Sequence, residues 1–176
     1  MTDEPVPEAV VVVVSTRAAK GTRPDTVGPQ LVARLLAADW NTSSDPIVVP
    51  DNETSLANLL VELVSAGHRL IVTTGGTGLT PTDRTPEATA RVADFTVPGL
   101  AELMRSSGVA STPLAALSRG VVAARRTTLI VNLPGSPTGA TESLDAVLPV
   151  LQHAVDQLIG SGHHAAPRQA MKGHRS

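Results

Sequence analysis

The sequence predicts a three-layer αβα sandwich whose sheet is mostly parallel with one antiparallel edge strand. Three observations carry this. Runs of β-branched residues alternate along the chain with stretches of helical apolar periodicity. The runs Val10 to Ser15 and Leu70 to Thr74 lack the polar alternation of a half-exposed strand, as strands covered on both faces do. An aromatic share of 1% leaves Val, Leu, Ile and Ala to build the core, which suits helices laid on a sheet.

The 176 residues match the usual size of one domain. We expect a folded unit over residues 1–160 and a flexible tail over 161–176, where His, Pro, Arg, Lys and Gly offer too little apolar content to offset ordering entropy.

Taken in order, Val10 to Ser15 is the first central strand. Val27, Leu31 and Leu35, with Leu36 beside them, mark a helix to about Ala38. The sheet resumes at Ile47 to Val49. Asp51, Asn52 and Thr54 supply acceptors for a second helix whose face carries Leu56, Leu59, Leu60, Leu63 and Val64 and which Gly67 ends. Leu70 to Thr74 is a strand running into Gly75, Gly76, Thr77 and Gly78.

Thr85, Pro86 and Glu87 read as an N-cap, a first-turn proline and a first-turn acid, with the helix reaching about Phe95. Pro98 and Gly99 break the chain before helical Leu100 to Ser107, and a short helix is expected over Pro113 to Leu117. Val121 to Ala124 and Thr128 to Leu133, joined across Arg125 and Arg126, form a hairpin that supplies the antiparallel edge. After Pro134, Gly135, Ser136 and Pro137 a last helix buries Leu144, Val147, Leu148, Leu151, Val155 and Leu158. His68 and His153 are expected at the surface.

Composition excludes several function classes. A net charge of -2 and two aromatic residues, Trp40 and Phe95, argue against nucleic acid as a partner. The absence of cysteine excludes disulfides, iron-sulfur clusters and thiolate zinc sites and fits the cytoplasm. Ala9 to Val14 follows acidic Asp3 and Glu4 and is far too short to span a membrane.

The chemistry concentrates in Thr73 to Glu87, written TTGGTGLTPTDRTPE. Glycines let backbone amides approach an anion closely, and a helix N-terminus adds partial positive charge, so phosphate is the expected ligand. Pro81 spoils a dinucleotide fingerprint, and no Gly-Lys-Ser/Thr sequence exists; lysine occurs only at Lys20 and Lys172. Backbone amides, arginine and a metal must serve instead. Taken singly, the loop reads as a tight turn, Asp83 as a turn residue and Asp51 as a helix cap.

Taken together, these residues resemble the molybdopterin adenylyltransferases of the Mog and MoaB type, also represented by the G domains of gephyrin-like proteins. The resemblance runs from the first strand to about Gly160. It rests on TTGGTG at 73–78, PTDRTPEAT at 81–89, SRG at 118–120 and NLPGSP at 132–137, with Pro50-Asp51 similar to the acidic site after the second strand. It implies the MogA-like mixed-sheet sandwich, a homotrimer, and the conversion of Mg-ATP and molybdopterin to adenylyl-molybdopterin and pyrophosphate, followed by hand-over to a separate molybdenum-insertion enzyme.

By the same resemblance Asp51 and Asp83 are catalytic and hold Mg²⁺. Thr74, Gly75, Gly76, Thr77, Gly78, Ser118, Arg119, Pro134, Gly135 and Ser136 contact substrate. The chain departs from the pattern at Ser15-Thr16, where the family often carries Ser-Asp, while Gly21, Asp25 and Gly28 are kept. A second reading is a trimeric carrier that holds molybdopterin without adenylylating it; retained Asp51 and Asp83 favour the enzyme. A third, a domain of a longer metal-inserting or nucleotide-hydrolysing protein, is disfavoured by chain length.

Overall fold

A computed structural model describes residues 8–160, so the expected tail at 161–176 and the first seven residues lie outside the described region. Six strands form one sheet in the order β2-β1-β3-β6-β5-β4. They are β1 (Ala9–Val14), β2 (Ile47–Val49), β3 (Leu70–Thr74), β4 (Phe95–Thr96), β5 (Val122–Arg125) and β6 (Thr128–Leu133). β2, β1, β3 and β6 run parallel, while β5 is antiparallel to β6 and to β4.

Every residue of β1 is buried because both faces of the sheet are covered. Ala9, Val11 and Val13 face a core built with α2 (Gly28–Ala37), α5 (Pro98–Val109) and α6 (Pro137–Leu158), around Leu31, Leu35, Met104, Leu144 and Leu151. Val10, Val12 and Val14 face α3 (Glu53–Ala66) and α4 (Thr85–Val92), around Leu56, Leu60, Ile71 and Ala88. The strand period of two thus divides β1 between two layers. A four-residue α1 (Thr16–Ala19) follows β1 directly.

Several local expectations are corrected. The α4 segment stops at Val92, and Phe95–Thr96 is an edge strand with Phe95 exposed. The hairpin strand β5 is therefore interior, and the two-residue β4 is the edge. Pro98 opens α5 as a first-turn proline instead of breaking the chain. Thr85 does not cap α4; its hydroxyl donates to Gly75 O at 2.8 Å. His68 is buried at 8% exposure, because the chain turns inward there to start β3, whereas His153 is exposed.

Other elements end as expected. Asn52 alone caps α3, accepting from the Ser55 amide at 2.9 Å, and Gly67 closes it at φ 99°. α6 runs 22 residues and tolerates Pro149 because that residue sits on its exposed side. Among the described residues no helix is long and apolar enough to cross a membrane.

Candidate functional site

The carboxyl ends of β1, β3 and β6 lie side by side, in register from Val13 to Thr74 and from Thr74 to Leu133. Open α/β sheets collect ligands at this edge. The loop after β3 turns through Gly75 at φ 97° and Gly76 at φ 63°, left-handed values that favour glycine. A Cβ at Gly75 would come 2.3 Å from Val14 O, and one at Gly135 would come 3.1 Å from Gly75 Cα. The two small-residue loops after β3 and β6 therefore touch along bare backbone.

Two bonds hold that contact directly. The Gly75 amide donates to Leu133 O at 3.2 Å, and the Thr74 hydroxyl donates to Pro134 O at 2.6 Å. From below, Thr85 donates through its amide to Gly76 O at 3.0 Å and through its hydroxyl to Gly75 O. Deeper still, the fully buried Asn132 amide group donates to the hydroxyls of Thr73 and Thr89, both at 3.0 Å, joining β6, β3 and α4.

Two cavities open on either side of this contact. The larger, about 590 Å³, has apolar walls from Met104, Leu114 and Leu117 and hydroxyl groups from Ser118 and Ser136, with Pro134 beside them. The smaller, about 370 Å³, is predominantly polar, with Ser15, Arg17, Arg23, Asp25 and Asp51 in its wall. Gly76, Asp83 and Gly135 line both. The N-terminus of α6, capped by Ser136 accepting from the Gly139 amide, opens at the same rim.

Asp51 and Asp83 face one space, the polar cavity, together with Gly75 and Gly76. Asp83 Oδ2 accepts from the Thr80 amide at 3.0 Å and its hydroxyl at 2.6 Å. Asp51 Oδ2 accepts from the Thr16 amide at 2.7 Å, so Asp51 pairs the first amide of α1, whose N-cap is Ser15, and does not cap the helix that follows it in sequence. Asp25 was not among the expected site residues and is a third carboxylate in this wall. Its Oδ1 accepts from the Val27 and Gly28 amides, both at 3.0 Å, while Oδ2 is buried with no protein partner. The signal for it in the sequence was an aspartate three residues before the Gly28-Pro29 helix start.

These donors fit a magnesium ion that shares its coordination with a ligand. Among the described residues no cluster of three or more carboxylate or imidazole groups could enclose a metal by itself. Mg²⁺ keeps several waters and takes one or two carboxylates plus phosphate oxygens, which is what an open wall with Asp83 and Asp51 would supply, the Asp25 oxygen being buried. Arg17 and Arg23 on the same wall add cationic groups suited to phosphate.

Of the expected substrate-contacting residues, Thr74 and Gly75 line the polar cavity; Thr77, Gly78, Ser118, Pro134 and Ser136 line the larger one; Gly76 and Gly135 line both. Arg119 lines neither. Its guanidinium donates to Gly78 O at 2.7 Å, Asp83 O at 2.6 Å and Glu87 Oε1. Hydrogen bonding from Arg119 is the main cause holding the Glu87 carboxyl below its ordinary value, with smaller contributions from the charges of Arg119 and Arg84. Arg84 in turn reaches Glu53 at 2.9 Å, making an alternating chain of charges from α3 to the glycine loop.

The chain matches the family model described as a probable molybdopterin binding domain over residues 10–153. It is 36% identical over 153 residues to a molybdopterin adenylyltransferase of Helicobacter pylori, covering 86% of this chain and 87% of that protein. It is 32% identical to gephyrin of Dictyostelium discoideum over 94% of this chain and 24% of gephyrin. Among solved structures it is similar to the molybdopterin biosynthesis Mog protein from Mycobacterium ulcerans, with a TM-score of 0.81 and 42% identity over 87% of this chain and 99% of that one.

Proposed function

This chain belongs to the molybdopterin-binding domain family, and from that premise we propose that it transfers the adenylyl group of ATP to the phosphate of molybdopterin, releasing pyrophosphate. It is a nucleotidyltransferase of molybdenum cofactor biosynthesis. The observation that carries the finer reading is the wall shared by the two cavities. An adenylyl transfer joins two substrates at their phosphates, and Asp83 with Gly76 and Gly135 stands where an apolar cavity and a polar one meet.

In this reading the larger cavity takes the pterin, its ring against Met104, Leu114 and Leu117, and the polar cavity takes the triphosphate. Both reacting groups are anionic, so the barrier is charge repulsion and the remedy is positioning with neutralisation. The bare backbone of Gly75, Gly76 and Gly135 lets phosphate oxygens come close to peptide groups. Arg17 and Arg23 face the phosphate tail. Asp83, with Asp51 across the cavity, would hold Mg²⁺, whose charge offsets that of the phosphates and the departing pyrophosphate.

Neither aspartate needs to act as a base, because a phosphate monoester with a second pKa of about 6 is already largely deprotonated near neutral pH. Asp83 orients the leaving group and Asp51 places ATP. The reading also takes the protein as a cytoplasmic homotrimer that passes its product to a separate molybdenum-insertion enzyme. Phe95, Leu103 and Val109, all exposed and outside both cavities, offer apolar surface for further copies, and sedimentation equilibrium tests that assembly.

The direct experiment supplies molybdopterin, Mg²⁺ and ATP labelled at the α-phosphate. Label in the pterin fraction, dependent on Mg²⁺, supports the transfer. Pterin binding with no label transferred supports a carrier in its place.

A further inference from the structure

The turn that carries Asp83 has no anchor of its own. Residues 79–82 are exposed, and Leu79, the one large apolar side chain among them, is 65% exposed, so burial does not hold the turn in place. The bonds from Thr80 to the Asp83 carboxylate lie inside the turn and would travel with it. A Cβ at Gly78 would come 2.8 Å from Asp83 Oδ2, so the carboxylate lies across the Gly78 backbone and any shift of Gly78 displaces it.

Arg119 reaches both ends of this turn. Nε donates to Gly78 O at one end and Nη2 to Asp83 O at the other, while its own amide donates to Thr77 O at 2.9 Å. Nη1 donates to Glu87, which belongs to α4 and is tied through Arg84 to Glu53 of α3. The geometry points to Arg119 as a positioning residue that fixes where Asp83 presents its carboxylate in the wall between the cavities. This rests on the metal-holding role of Asp83 given above, and it replaces the substrate contact expected for Arg119.

The chemistry requires arginine. A planar guanidinium offers five donors in a fixed fork and can serve two backbone carbonyls and a carboxylate at once; a lysine ammonium is a compact point charge on a flexible stem. Glu87 balances the positive charge, so Arg119 braces the turn without presenting a bare cation to the metal site.

The test compares Arg119→Lys, Arg119→Ala and Glu87→Gln with the wild type in three readouts. These are molybdopterin affinity, binding of Mn²⁺ with a non-hydrolysable ATP analogue followed by electron paramagnetic resonance, and the Mg²⁺ dependence of pyrophosphate release. Both Arg119 variants are expected to keep pterin affinity within about twofold while Mn²⁺ affinity and kcat fall about tenfold or more. Guanidinium ion added to Arg119→Ala restores part of the loss and leaves Arg119→Lys unchanged. Glu87→Gln shifts the same readouts in the same direction by less.

Loss of pterin affinity with unchanged Mn²⁺ binding overturns the proposal, since it identifies a substrate contact. Unchanged values in all three readouts overturn it as well. Should the wild type release no pyrophosphate, the adenylyl-transfer reading fails by itself, and the Mn²⁺ comparison still decides whether Arg119 sets the Asp83 carboxylate.

Discussion

Thr16 and Asp51 hold each other through two hydrogen bonds that run in opposite directions. The Thr16 amide donates to Asp51 Oδ2 at 2.7 Å, and the Asp51 amide donates to the Thr16 hydroxyl at 3.0 Å. The pair joins the ends of β1 and β2 and fixes one oxygen of a cavity carboxylate. Aspartate, frequent at this position in the family the sequence resembles, would supply the same acceptor but set a second anion beside the first.

Thr16→Val keeps the shape of the side chain and removes the acceptor, leaving the partly buried Asp51 amide unpaired. Urea denaturation should show a loss of about 1–2 kcal/mol. The Thr16 amide still holds the Asp51 carboxylate, but the Asp51 backbone loses its own anchor and can shift, so KM for ATP rises while the affinity for molybdopterin is unchanged. An equal rise in both constants would place Asp51 outside the nucleotide side of the site.

Gly75→Ala puts a methyl group 2.3 Å from Val14 O in a buried loop and demands a φ of 97° from an L side chain. Thermal or chemical unfolding should register a cost of about 2–4 kcal/mol. Gly99→Ala, where a Cβ meets nothing within 4 Å, is the control and should stay close to wild type.

The fold was legible because the pattern and the physics agree. A strand buried on both faces is apolar except where its polar groups are hydrogen-bonded: β1 is apolar throughout, and β3 ends in Thr73 and Thr74, whose hydroxyls are both paired. The places where the reading missed are those where a side chain is used by a distant partner. Thr85 precedes a proline as a cap would, yet its hydroxyl reaches back ten residues to Gly75. Asp51 sits before α3 but accepts the first amide of α1, across 35 residues of chain. For Arg119, whose motif suggests ligand contact, the bracing role we propose rests on three acceptors that lie more than 30 residues away in sequence. No local periodicity carries such long-range pairings.

Glu87 makes the acid limb of stability testable. Its folded-state pKa lies below the ordinary value of 4.5, mainly because Arg119 hydrogen-bonds the carboxylate. The unfolded chain therefore binds the proton more readily, and the pair's contribution is complete above the unfolded pKa and is lost as pH falls through the folded one. Relative to Glu87→Gln, the wild type should be more stable at pH 6 and lose that advantage below pH 4.5, measured by urea denaturation at each pH. A difference that does not change with pH would mean that the Arg119 contact is not ionic.

The junction of the two cavities is tested most directly by Asp83→Asn, a near-isosteric change in the non-glycine residue that lines both walls. Pyrophosphate release is followed with saturating molybdopterin, ATP and Mg²⁺, alongside molybdopterin binding by the same preparation. The expected result is one pyrophosphate per molybdopterin consumed by the wild type, a fall in kcat of about 10²–10³ in the variant, and pterin affinity retained. Turnover by Asp83→Asn close to the wild-type rate would contradict the placement of adenylyl transfer at this wall.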